Sequence, residues 1–264
     1  MPSADWDLAL TELIFYSPTV VPLAYCLWRH RSVGITGWIY LLIFVSLQLI
    51  STGMIVHAGP NGTPPTTALI VSSVALSPLL LGIAGIVHEW TKIAGRVKNE
   101  RERKWALIIL LLYHVLVGGA IAIYAVGASN TLTQSNFSNS SGVALWRAGI
   151  LILLASWVLL CVVFAALAWY VRGDSCRAFT WPIAFSLTLL GSRMVYQCVA
   201  TFDYMIPALN PLRGSLALRV IFDFLVGALI VAAMVTGGIL SLERIGRKGG
   251  HGVELGASQR ASDV

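Results

Sequence analysis

Glu12 and Asp223 are carboxyl groups set inside stretches of sequence that are otherwise apolar, and Arg193 and Arg219 are guanidinium groups in the same situation. A charge left in hydrocarbon is costly, so such side chains face a protein interior and pair with one another. The chemistry they offer is proton transfer. A carboxyl in apolar surroundings keeps its proton to higher pH than in water and can act as a positioned acid. A guanidinium presents five donors in a planar fork, suited to orienting an acid or binding an oxygenated group. Arg193, Tyr196 and Gln197 stand at i, i+3 and i+4 and share a helix face. Arg219 and Asp223 stand four apart, and Glu12 and Tyr16 repeat that spacing. Arg219 with Asp223 reads equally as a local ion pair. A tight pair there favours ionised Asp223 and leaves Glu12 as the proton donor.

The elements that must position these groups are long and apolar. The 264-residue chain is 57% hydrophobic and only 11% charged. A hydrocarbon core about 30 Å thick needs roughly 20 apolar residues at 1.5 Å rise. Spans are predicted at Leu8–Trp28, Thr36–Val56, Thr67–Val87, Trp105–Val126, Val143–Val171, Phe179–Val199 and Leu216–Leu240. Backbone groups inside lipid must be paired, so these are helices, and the short alternating strands of a barrel are absent. The predicted fold is an all-α polytopic membrane protein with seven transmembrane helices. Residues 1–240 form the transmembrane domain, and the Gly- and Ser-rich residues 241–264 form a disordered cytosolic tail.

The net charge of +6 is no nucleic-acid signature, because the basic residues fall on alternate loops. Arg29 and Arg31, the run from Lys92 to Lys104, Arg172 and Arg177, and the tail carry nearly all of them; Arg213 alone stands on an opposite loop. The positive-inside rule then puts the N-terminus outside or lumenal and the C-terminus in the cytosol. The sequons at Asn61, Asn136 and Asn139 all fall on the predicted outer side, which points to glycosylation and to the endoplasmic reticulum or another endomembrane. The first apolar run follows Asp5 and Asp7 rather than a basic segment, and reads as a span rather than a cleavable signal.

Odd spans run inward and even ones outward, so Glu12, Gln48, Arg193, Tyr196, Gln197, Arg219 and Asp223 come to one depth, in the outer half. Polar faces on the first, sixth and seventh spans predict a common pocket, in which Glu12 and Asp223 are the only acids buried within the spans. His114 reads as a hydrogen-bonded core histidine, His57 as an interfacial residue, and Arg147 as a side chain snorkelling to the interface. Trp28, Trp38, Trp90, Trp105, Trp146 and Trp181 lie at span ends and read as an interfacial belt. Pro78 should kink the third span and free a backbone carbonyl.

Several classes are excluded. The seventh span has no lysine to hold retinal, and the third lacks the acidic-Arg-aromatic triplet of the large receptor family. No Asp-rich run suits magnesium diphosphate, and no His/Cys cluster marks a metal or haem site. No metal and no cofactor are expected.

Three segments carry a resemblance: Gly37-Trp38-Ile39-Tyr40-Leu41-Leu42-Ile43-Phe44, Leu76-Ser77-Pro78-Leu79-Leu80-Leu81 and Ser192-Arg193-Met194-Val195-Tyr196-Gln197. With them nearly the whole chain resembles a fungal seven-span family catalogued as a domain of unknown function. The chain departs from that family in having Gln48 where members often carry Arg and Asp223 where they carry Glu. The resemblance implies a membrane terpene cyclase of the macrophorin type, which folds a farnesyl chain attached to an aromatic or quinone core. Asp223 or Glu12 would then be the acid. Arg193, Tyr196, Gln197, Arg219 and Gln48 would orient it or bind the head of a prenylated substrate, and aromatic faces would stabilise carbocations. The rival reading is a non-enzymatic membrane receptor or small-molecule carrier using the same pocket.

Overall fold

A computed structural model describes residues 4–30, 34–93, 100–133, 140–170, 177–203 and 215–241. Seven stretches are long and apolar enough to cross a membrane, and no strand occurs among the described residues. The first two spans are α1 (Ala4–His30) and α2 (Ile35–His57). The third is broken into α3 (Thr66–Val74) and α4 (Leu76–Ile93). Then follow α5 (Glu100–Thr133), α6 (Ser140–Tyr170) and α7 (Arg177–Phe202). The seventh span, Leu216–Ser241, opens as α8 (Leu216–Arg219), passes through a π-helical segment (Val220–Leu225), and is α-helical again over 226–241. The predicted tail after residue 241 lies outside the described residues.

The third span is the centre of the bundle: 78% of its apolar window is buried, against 11% for the fourth span. Small residues let α2 cross it closely. A methyl at Gly37 would sit 2.7 Å from the Ile86 nitrogen, and one at Gly82 2.9 Å from a Leu41 methyl. The α5–α6 hairpin uses the same device, since a methyl at Gly149 would sit 2.6 Å from the Tyr124 nitrogen. In lipid, where apolar burial supplies no driving force between helices, such close backbone approach supplies it through van der Waals contact.

The break in the third span follows from Pro78. Proline has no N–H, so the carbonyl of Val74 four residues earlier loses its helical donor. The Ser77 hydroxyl donates to that carbonyl at 3.1 Å and satisfies it. The helix is interrupted at Ala75, and Ser72 and Ser73 of α3 line a cavity together with Glu12 and Asp223.

The bundle has two chemically different ends. The N-terminal end holds the start of α1, the end of α2 and the start of the seventh span. The basic end holds His30, the end of α4 and the start of α5. The interfacial reading of the tryptophans divides. Trp28, Trp105 and Trp181 are exposed, but Trp38, Trp90 and Trp146 are buried in the core. Hydropathy places a residue at a span end but does not say which way it faces.

Candidate functional site

The seventh span carries the backbone irregularity on which the site is built. A π turn bonds i to i+5 and leaves carbonyls without their α-helical donors, which inside a membrane must be satisfied by other groups. Arg193 Nη1 donates to the carbonyl of Asp223 at 3.3 Å, and the Tyr16 hydroxyl donates to that of Phe224 at 3.5 Å. Arg193 Nη2 also lies 3.4 Å from Asp223 Oδ1. Arg193 is wholly buried, at 0% exposure, so its charge is balanced within the bundle by Asp223. Gly227 makes room for this arrangement: a methyl there would sit 2.8 Å from the Tyr16 hydroxyl and 3.4 Å from Arg193 Nη1.

Beside Asp223 lies a cavity of about 30 Å³, room for about one or two water molecules. Glu12, Gln197, Arg219 and Asp223 line it together with Ser51 of α2 and Ser72 and Ser73 of α3. Residues from the first, sixth and seventh spans do converge, and α2 and α3 complete the wall. Gln48 stands one hydrogen bond away, its amide oxygen accepting from Ser72 at 3.2 Å. Tyr124 donates to the Gln197 side-chain oxygen at 3.0 Å and ties the α5–α6 hairpin to the site. Tyr196 does not line the cavity. Its ring stacks on Phe222 at 4.8 Å, and its buried hydroxyl has no hydrogen-bond partner.

The expected Arg219–Asp223 pair is not formed. Arg219 Nη1 bonds instead to Asp5 Oδ1 of α1. Residues four apart face each other in an α-helix, but the π segment intervenes and turns Asp223 toward Arg193. Asp5 with Arg219 and Asp223 with Arg193 form two ion pairs, while Glu12 has no hydrogen bond or ion pair among the described residues. Edge-to-face aromatic contacts lie against this cluster: Phe15 with Tyr16 at 5.4 Å, Phe15 with Phe224 at 5.6 Å and Tyr16 with Phe44 at 6.0 Å.

A second charged cluster, at the basic end, escaped the sequence reading. Glu89 is wholly buried, so Glu12 and Asp223 are not the only acids buried in the spans. Its Oε1 bonds to His30 Nδ1, and its Oε2 accepts from Trp38 Nε1 at 3.0 Å. His30 Nε2 lies 3.3 Å from the carbonyl oxygen of Gly238. Four spans are thereby joined, and two of the joining residues, His30 and Glu89, fall outside the predicted spans.

The remaining predicted residues fall elsewhere. His114 Nδ1 donates to Leu110 on its own helix at 2.6 Å and packs on Tyr40. Arg147 does not simply snorkel: it donates to the Phe202 carbonyl at 3.0 Å and lies over that ring. Asn61 is exposed in the α2–α3 loop, and Asn136 and Asn139 lie outside the described residues. Among the described residues no group of three or more His, Cys, Asp or Glu side chains converges to hold a metal.

Residues 4–244 match the family described as "Domain of unknown function (DUF7702)", and the chain belongs to that family. No curated protein and no solved structure matches it.

Proposed function

We propose that this member of the DUF7702 family is an integral-membrane terpene cyclase of fungal secondary metabolism, starting the cyclisation of a prenylated, meroterpenoid substrate by protonation. The observation that carries the reading is the charge count around the cavity. Two guanidinium groups are matched by Asp5 and Asp223, which leaves Glu12 as the carboxyl free to carry and deliver a proton. Glu12 gives its proton to a terminal alkene carbon, forming a C–H bond and a tertiary carbocation. The next alkene donates its π electrons to that cation and closes a C–C bond. The last cation loses a proton to a base, so the reaction is an isomerisation with no redox change. Asp223, held by Arg193, supplies a fixed negative charge beside the developing cation, and the faces of Phe15, Tyr16, Phe44 and Phe224 add to it.

The bilayer offers the substrate an approach. A shallow groove of about 490 Å³ runs along α1, lined by Ile14, Phe15, Pro18 and Phe224 among others. Pro18 and Pro22 stand inside α1 and weaken its hydrogen-bond ladder at this level. A polyene lying in the groove reaches Glu12 when α1 and the seventh span part. The setting proposed is the endoplasmic reticulum or another endomembrane.

One observation favours a second reading. A cavity of about 30 Å³ suits a small polar ligand or water better than a prenyl chain, as in a receptor or carrier that performs no chemistry. Microsomes bearing the protein, supplied with a farnesylated phenol, separate the two. A cyclised isomer that disappears in Glu12→Gln supports the enzyme. Saturable binding with no isomer in any preparation supports the carrier.

A further inference from the structure

A second, larger cavity lies far along the bundle from the acid cluster. Toward the basic end, a crevice of about 520 Å³ lies between α4 and the α5–α6 hairpin, within the roughly 300–1,000 Å³ of small-molecule sites. Its walls are apolar, among them Val87 of α4, Ala106 and Ile109 of α5, and Leu160 and Val163 of α6. Toward the N-terminal end the hairpin is tied to α7 by the Tyr124–Gln197 bond. Along α5 the lining runs from Glu102 to Tyr113, about 16 Å at the helical rise of 1.5 Å. That shape accepts one extended hydrocarbon chain.

The end of the crevice is polar. His88, Thr91 and Glu102 line it, and His88 Nε2 is buried without a hydrogen-bond partner. Arg101 and Lys104 are exposed on the same first turns of α5. Lys92 stands in the last turn of α4. A basic segment beside an interhelical pocket attracts anionic headgroups.

We propose that this crevice binds one acyl chain of an anionic glycerophospholipid whose headgroup also bears hydrogen-bond donors. The phosphate faces Arg101 and Lys104, His88 meets a phosphate or ester oxygen, and Glu102 accepts from the headgroup donors. The second acyl chain stays in the bilayer, because the crevice opens sideways to lipid. The site is separate from the acid cluster and does not rest on the cyclase reading.

The test uses the full chain in phosphatidylcholine nanodiscs carrying a small fraction of phosphatidylserine with a photoreactive acyl chain, followed by peptide mapping. Crosslinks should concentrate on α4, α5 and α6 at the crevice, and fall several-fold when the same photoreactive chain carries a choline head. Ala106→Trp, which fills the crevice, should cut that labelling at least five-fold. Labelling near Trp181 and Leu229, on another lipid-facing surface, should stay unchanged. Val163→Phe is a second filling variant should Ala106→Trp fold poorly. Arg101→Glu with Lys104→Glu should abolish the serine-over-choline preference without emptying the crevice. Equal labelling by both headgroups, or labelling indifferent to a folded filling variant, would reduce the crevice to ordinary annular lipid and overturn the proposal. Stronger competition by a free fatty acid or a farnesylated phenol than by unlabelled phosphatidylserine would overturn the phospholipid assignment.

Discussion

Arg193 holds Asp223 twice, its Nη1 donating to the backbone carbonyl at 3.3 Å and its Nη2 lying 3.4 Å from Oδ1. One side chain therefore fixes both the π turn and the charge that the turn presents. Breaking a buried pair by removing one partner costs about 3–5 kcal/mol. Arg193→Ala should lower the thermal midpoint of the detergent-solubilised protein strongly. Arg193→Lys should recover only part of the loss, because an ammonium cannot reach both acceptors with the geometry of a planar fork. A lysine variant as stable as the parent would show that the double contact contributes little.

Glu12→Gln should leave the fold intact, since Glu12 has no ion pair among the described residues to lose. Under the cyclase reading it should lower turnover about 10²- to 10⁴-fold, the usual contribution of general acid catalysis. Asp223→Asn should damage both stability and turnover. The contrast between the two carboxyls is the informative measurement: equal loss of stability in both variants would contradict the charge count.

The buried His30–Glu89 bond should behave as a coupled unit. Glu89→Gln and His30→Phe are each expected to destabilise the protein, because each strands a buried partner. The double variant should cost less than the sum of the two, as contacting residues do in a double-mutant cycle. Additive losses in thermal unfolding would mean that the two residues act separately.

Gly227→Ala adds a methyl 2.8 Å from the Tyr16 hydroxyl and 3.1 Å from the Phe44 ring. Overpacking of this kind typically costs about 1–3 kcal/mol. The methyl should also disturb the Tyr16–Phe224 hydrogen bond. Gly53→Ala serves as the control, because its methyl would meet nothing within 4 Å. The expected result is a lower thermal midpoint for the first variant alone.

The distribution of basic residues predicts that the basic end faces the cytosol. In intact microsomes a tag after residue 241 should be open to protease. Asn61, exposed in its loop, should shift in mass on endoglycosidase treatment only if that sequon is used. A tag protected until detergent is added would reverse the orientation.

Much of the site is legible in the chain because the cost of charge in lipid is a local fact. Glu12, Arg193, Arg219 and Asp223 stand out against apolar neighbours, and alternating span direction brings them to one depth. The seven spans follow likewise from runs long enough to cross hydrocarbon, and the break ahead of Pro78 from its missing N–H. Partner choice is not local. Arg219 and Asp223 are four residues apart, yet the π segment takes Asp223 to Arg193 and leaves Arg219 to Asp5, 214 positions away. Glu89 resembles a loop acid in composition, and only His30 and Trp38, brought by two other helices, let it be buried. The inward turn of Trp38, Trp90 and Trp146 and the size of the cavity belong to the same class. A sequence states what each segment needs in a membrane, whereas which partner meets that need depends on how the helices pack.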